Sequence, residues 1–221
     1  MDIAAYIDHT VLKPDTTLTD IERLCGEALT YRFAAVCVPP LYVKKATELL
    51  AGSAVKTATV IGFPFGYSAI EAKLAEVVLA IVDGADELDM VMNIAAVKNN
   101  DWQFIASEMN AILPVIRNKN RVLKVIIETG MLTTDEIIKC CTLYGAAGVD
   151  FLKTSTGYGG KGATVEAVRL MRQHLPPHVQ IKASGGIRSF AFAAELLAAG
   201  ASRIGCSGSI DIVHASGQKP V

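Results

Sequence analysis

The chain has 221 residues, a net charge of −1 and a 51% share of hydrophobic residues, with 21 Lys and Arg against 22 Asp and Glu. That balance leaves no nucleic-acid footprint and no polybasic patch for a membrane, and no apolar run reaches the ~18 residues needed to span a bilayer. The length suits one sizeable core, and residues 1–221 read as a single α/β domain.

Strand-like and helix-like segments alternate along the chain. Ile7-Asp8-His9-Thr10 is a short first strand. A helix follows, with Thr19 as N-cap and Glu22 three residues on. The second strand, Ala34 to Val38, ends at Pro39, and Pro40 suits the first turn of the next helix. Thr57 to Ile61 is the third strand, followed by the turn Gly62 to Gly66. Ser68 with Glu71 caps a helix that runs to about Val82. Glu87 to Met92 forms the fourth strand, and a helix spans Trp102 to Ile116, ended or kinked by Pro114. Val122 to Ile127 is the fifth strand, closed by Glu128. Thr133 and Glu136 cap a helix that stops by Gly145. The sixth and seventh strands end in Lys153 and Lys182. Ser189 caps a helix that Gly200 stops, and Arg203 to Cys206 is the eighth strand, running into Ser207-Gly208-Ser209. Eight strands alternating with helices point to a single (β/α)8 TIM barrel, with a doubly wound open sheet as the alternative.

Lys153 and Lys182 lie in consecutive strands, each in an apolar run with glycines after it. Burial disfavours a lysine's charge, and a second lysine in the same space disfavours it further. Moving an amine from ~10.4 to ~7 takes about three units, roughly 4 kcal/mol. The product is a neutral amine able to attack a carbonyl. Asp89, set among Leu88, Met90, Val91 and Met92, needs a cationic partner and is placed to move protons beside those lysines. Asp8 has a weaker case, since Asp-His-Thr could cap a turn. Cys37 is expected to line the site, and Glu128 fits a lining carboxylate or a turn residue. Gly185-Gly186 and Ser207-Gly208-Ser209 follow the last two strands, where barrels often bind phosphate through backbone N–H groups. Gly157 to Gly162 forms a loop that could close over the same site.

Other chemistries find little support. His174 and His178 have i, i+4 spacing, but Pro176 and Pro177 between them break a shared helix, so no metal is expected. The five cysteines include an adjacent pair, Cys140-Cys141, and no Cys-x-x-Cys, which fits reduced thiols in the cytoplasm. Met1-Asp2-Ile3-Ala4 lacks the basic start of a signal peptide. An isomerase using Asp89 or Glu128 as base, another Schiff-base aldolase and a non-catalytic sugar-phosphate binder remain as alternatives.

The motifs Ile7-Asp8-His9-Thr10, Val36-Cys37-Val38-Pro39, Glu87-Leu88-Asp89-Met90-Val91 and Lys124-Val125-Ile126-Ile127-Glu128-Thr129-Gly130 stand in order along the chain. Phe151-Leu152-Lys153-Thr154-Ser155-Thr156-Gly157 and Lys182-Ala183-Ser184-Gly185-Gly186-Ile187-Arg188 complete them. Together they resemble the deoxyribose-phosphate aldolase family over nearly the whole chain. The resemblance implies a class I aldolase that reversibly cleaves 2-deoxy-D-ribose 5-phosphate to glyceraldehyde 3-phosphate and acetaldehyde. It implies Lys153 as the Schiff-base lysine, with Lys182 lowering its pKa and sharing proton transfer with Asp89. Asp8, Cys37, Thr154, Gly157, Gly185, Gly186, Ser207 and Gly208 would form the substrate-binding set. The resemblance further implies no metal or other cofactor, a phosphorylated sugar as the small-molecule partner, and a homodimer. The chain departs from longer relatives in two places. It ends Gln218-Lys219-Pro220-Val221 without a terminal tyrosine, and Tyr158 stands after Gly157 where those relatives carry a lysine soon after.

Overall fold

The structure is a computed structural model that describes residues 2–218. Its strands are short and buried on both faces, as strands enclosed by helices are. They are β1 (Ile7–Thr10), β2 (Ala35–Val38), β3 (Lys56–Ile61), β4 (Glu87–Val91), β5 (Val122–Ile126), β6 (Phe151–Lys153), β7 (Gln180–Ser184) and β8 (Arg203–Cys206). Each pairs in parallel with the next, and β8 returns to β1 with Asp8 opposite Gly205 and His9 opposite Cys206. That last pairing closes the barrel and excludes the open sheet.

The outer layer, among the described residues, is α1 (Leu18–Tyr31), α2 (Val43–Leu49), α3 (Ile70–Val82), α4 (Ile94–Lys98), α5 (Trp102–Arg117), α6 (Thr134–Ala147), α7 (Val165–His174), α8 (Phe190–Ala198) and α9 (Ser209–Ala215). The sequence pattern had not marked α4, α7 or α9. The main core lies between helices and strands. On α5, Ile105, Met109, Ile112 and Ile116 recur on one face and are buried. Burying each such side chain contributes roughly 1.5–3 kcal/mol.

Several helix ends differ from expectation. The box at the start of α1 is Thr17 with Asp20, two residues before the expected Thr19 and Glu22. The two pairs have equivalent spacing, and the chain enters the helix at Leu18. Ser68 and Glu71 do not cap α3, which starts after Ala69 with no side-chain cap. Pro114 lies inside α5, which runs on to Arg117. The helix α6 passes Gly145 and ends at Gly148, whose φ of 72° gives the left-handed turn. Gly145 serves packing instead, since a Cβ there would lie 2.7 Å from Cδ of Pro176. Strand β7 continues two residues beyond Lys182, to Ser184.

Inside the barrel the two sides differ. Ala35, Cys37, Ala58 and Val60 of β2 and β3 form a small apolar cluster. The rest of the interior, from β4 round to β1, is filled with ionisable side chains.

Candidate active site

Seven charged residues occupy that interior. Asp8, Asp89, Lys124 and Lys182 are fully enclosed, and Glu87 and Lys153 nearly so. The Lys124 ammonium meets Glu87 at 2.6 Å, Asp89 at 2.7 Å and Asp8 at 3.6 Å. Arg203 meets Asp8 at 2.6 Å and Glu87 at 3.2 Å. Lys182 bonds to Asp8 and, at 2.7 Å, to Asp89 Oδ2. Lys153 reaches the same Asp89 Oδ2 at 2.7 Å. The register explains the stacking, because Lys153 lies opposite Lys182, and Asp89 opposite Lys124.

Charge count decides what this cluster can do. Three carboxylates face four basic side chains, so full protonation leaves one positive charge without a counter-ion in a buried space. Such a charge is costly, which favours loss of a proton from one amine. Arg203 is not that group, since a guanidinium keeps its proton, and its two carboxylates raise its pKa further. Lys124 has three carboxylates near it and Lys182 has two, whereas Lys153 shares one oxygen of Asp89 with Lys182. Burial, opposed by Asp89 and aided by the Lys182 ammonium, pushes the Lys153 pKa below its usual value. Burial also works against the charge on Lys182, but Asp8 and Asp89 outweigh it and hold its pKa above the usual value. The expected mutual lowering of the two lysines is therefore one-sided. Lys182 stays charged and depresses Lys153. Burial works against the Asp89 carboxylate, yet the three lysines keep it ionised.

Lys153 opens onto a cavity. The cavity measures about 250 Å³ and lies at the C-terminal ends of the strands. Gly157, Gly185, Gly186 and Ser207 line it as well, with Thr156, Tyr158 and Arg188 at its edge. Gly185 cannot carry a side chain, since it has a φ of 89° and its Cβ would lie 3.0 Å from Cα of Gly162. Gly208 lies on the wall of a neighbouring cavity that also touches His9 and Glu27. Asp8, Asp89 and Lys182 lie beneath Lys153 as its charged support.

Two expected lining residues are not on the wall of this cavity. Thr154 is buried, its hydroxyl donating to the Ser184 carbonyl and accepting from the Ser184 N–H, both at 3.1 Å. It clasps β7 and does not face the cavity. Cys37 is fully buried in the apolar cluster, and burial pushes its thiol up to about 11. Glu128 proves to be a turn residue with a role of its own. At a φ of 54°, it takes the Thr156 N–H at 3.1 Å and the Thr156 hydroxyl, so it holds the loop after Lys153. That loop is pinned across the mouth where Tyr158 donates to the Leu12 carbonyl at 2.9 Å and sets its ring edge-on to Phe63. Gln218 reaches back to Asp2 and Ile3, while Lys219 to Val221 lie outside the described residues.

Sequence reasoning missed Lys124, Glu87 and Arg203. Lys124 carried the same signal as Lys153, a lysine within an apolar strand run. Among the described residues, no group of three or more His, Cys, Asp or Glu could hold a metal ion.

A closed barrel with a buried lysine opening onto a cavity at its C-terminal mouth has the form of an enzyme's active site. Comparison with known proteins agrees and is more specific. Residues 3–210 match the family described as DeoC/LacD family aldolase, and the chain belongs to that family. It is thus a lyase of the aldolase class. A deoxyribose-phosphate aldolase of Thermococcus gammatolerans is 51% identical over 97% of this chain and 96% of its own. That of Thermococcus kodakarensis is 49% identical over 96% of each chain. The solved deoxyribose phosphate aldolase of Aeropyrum pernix, described as tetrameric, superposes with a TM-score of 0.91. It is 32% identical, over 98% of this chain and 91% of that one.

Proposed function

We propose that the protein is a class I aldolase that cleaves 2-deoxy-D-ribose 5-phosphate by way of a Schiff base on Lys153. The observation that carries this reading is the charge count of the barrel interior, where, within that buried cluster, Lys153 is the amine both short of counter-ions and open to the cavity. The neutral Lys153 Nζ adds to the C1 aldehyde of the open-chain sugar, and loss of water gives a protonated imine. A base takes the C3 hydroxyl proton, the C2–C3 bond breaks, and its electrons flow into the iminium. Glyceraldehyde 3-phosphate leaves. The remaining enamine takes a proton at C2, and water releases acetaldehyde and restores Lys153. Lys182 donates a charge-assisted hydrogen bond to Asp89 beneath the reacting nitrogen, and the two pass the protons these steps require.

Gly185, Gly186 and Ser207 line the same mouth, with Gly208 on the wall beside it, and the two loops would hold the phosphate through backbone N–H groups, with Gly157 leaving room beside them. Asp8 acts by anchoring Lys182, not by touching substrate. The reaction belongs to deoxynucleoside breakdown and is assigned to the cytoplasm, in keeping with five free buried cysteines. Among the described residues, no helix is long and apolar enough to cross a membrane. A homodimer is the proposed assembly, to be settled by sedimentation.

The test is incubation with 2-deoxyribose 5-phosphate and borohydride, with peptide mass mapping and an acetaldehyde assay run in parallel. The reading expects acetaldehyde release and a reduced adduct on Lys153. An adduct on Lys182 would exchange the lysine roles. No adduct, with ligand bound to folded protein, would favour the isomerase or binding-protein alternatives.

A further inference from the structure

Successive side chains of a strand point to opposite faces. In β1, Asp8 points into the barrel and His9 points outward, toward α1 and α9. His9 is 3% exposed and packs on the Phe33 ring at 5.1 Å. Both of its ring nitrogens are engaged. Nε2 lies 2.6 Å from a carboxylate oxygen of Glu27 on α1, and Nδ1 lies 2.8 Å from the hydroxyl of Ser209, the first residue of α9. Ser209 is itself fully buried.

Hydrogen-bond chemistry fixes the direction of this chain. Burial pushes the His9 pKa down, although the Glu27 carboxylate works the other way. A neutral imidazole has one N–H, and a carboxylate can only accept, so Nε2–H donates to Glu27. Nδ1 is then an acceptor and takes the single Ser209 hydroxyl proton. The Ser209 oxygen remains free to accept from the Cys206 thiol at 3.3 Å. Its 3.2 Å approach to the Cys206 carbonyl is the weaker alternative for that proton. The loop Cys206-Ser207-Gly208-Ser209 is therefore gripped at its far end by a side chain whose tautomer is set on a different helix. A second tie runs beside it, where Tyr31 on α1 meets Nε2 of His214 on α9 at 2.8 Å.

We propose that His9 is a positioning residue for the loop between β8 and α9, holding Ser207 at the cavity mouth, with Gly208 next to it, through Ser209 and bracing that loop against α1 through Glu27. This rests on the reading above in which that loop holds the substrate's phosphate. His9 touches no substrate. Its effect appears only in how well the phosphate end of the substrate is held.

The two bonds of His9 can be kept one at a time. An asparagine places a polar atom near the Nδ1 position, and a glutamine near the Nε2 position. The experiment measures kcat and KM of wild type, His9→Asn, His9→Gln and Ser209→Ala with 2-deoxyribose 5-phosphate and with unphosphorylated 2-deoxyribose, alongside melting curves. The expected result is a KM for the phosphorylated sugar raised about tenfold in His9→Gln and Ser209→Ala, about the loss of one buried hydrogen bond. With the unphosphorylated sugar, kcat/KM should move less than about twofold. His9→Asn should restore most of the KM. The double variant His9→Gln/Ser209→Ala should be no worse than either single one, because both remove the same bond. Equal losses on both sugars, additive losses, or an unchanged KM in Ser209→Ala would overturn the proposal. A wild-type enzyme with no preference for the phosphorylated sugar would instead overturn the phosphate reading on which it rests. Should His9→Gln fail to fold, Ser209→Ala alone decides.

Discussion

Two buried lysines invite comparison. Lys153 stands in the barrel interior, and Lys73 stands in the seam between α3 and α5. Burial pushes the pKa of both below the usual value, against the pull of a carboxylate 2.6–2.7 Å away. Lys73 has Glu108 to itself and also donates to the Val91 carbonyl at 2.8 Å. Burial in turn pushes the Glu108 carboxyl up. Lysine and glutamate there form a matched pair sealed from solvent. Lys153 shares its carboxylate with two other lysines and opens onto a cavity. A low pKa therefore does not by itself make an amine reactive. What distinguishes Lys153 is an unmatched charge in its neighbourhood together with access to substrate.

Variants can break that contrast at different depths. The largest effect belongs to Lys153→Ala, which removes the nucleophile and should lower turnover by about 10⁴-fold or more while leaving the melting temperature near wild type. Activity near the wild-type level would end the imine mechanism. Asp89→Asn comes next, with kcat lowered by about 10³-fold through loss of proton transfer. Asp89 is the group that raises the Lys153 pKa, so the acidic limb of the pH–rate profile should move to lower pH. A variant that does not fold would mean that Asp89 is chiefly a structural counter-ion. Lys182→Leu should cost about 10²-fold at neutral pH. Its effect on the acidic limb has the opposite sign. Loss of the Lys182 charge removes one cause of the low Lys153 pKa and leaves Asp89 freer to stabilise the Lys153 ammonium, so the limb moves to higher pH. The smallest effect on catalysis is expected from Lys73→Met. Breaking that buried pair should cost about 3–5 kcal/mol of stability in denaturant unfolding, and Lys73→Met/Glu108→Leu should recover much of it. In neither variant should the pH–rate profile move.

The barrel was legible because its strands are short, apolar and regularly interrupted by helices, a pattern that few folds share. Lys153, Lys182 and Asp89 stood out for a related reason, since a charge within an apolar strand must be explained. Lys124 met the same criterion but lay inside a longer motif and was not singled out. Glu87 and Arg203 begin their strands, where charged residues commonly face solvent. Only closure of β8 onto β1 brings Arg203 onto Asp8, and Arg203 then reaches Glu87 as well. The Lys73 pair was hidden for another reason. A lysine in a helix ordinarily points to water, and nothing local reveals that α5 sets Glu108 opposite it. Thr154 misled in the opposite way. It follows Lys153 in the motif, but strand alternation turns its side chain toward the Ser184 backbone. The residues Ser207-Gly208-Ser209 looked like a loop alone, and the burial of Ser209 against His9 depends on α1 and α9 meeting around β1.

The most direct test of the charge-count account is the pH dependence of borohydride trapping by 2-deoxyribose 5-phosphate, measured in the wild type, Lys182→Leu and Asp89→Asn with the adduct mapped each time. The account predicts the adduct on Lys153 in all three, with the midpoint of trapping moved to higher pH in Lys182→Leu and to lower pH in Asp89→Asn. Midpoints that coincide, or that move together in one direction, would contradict it.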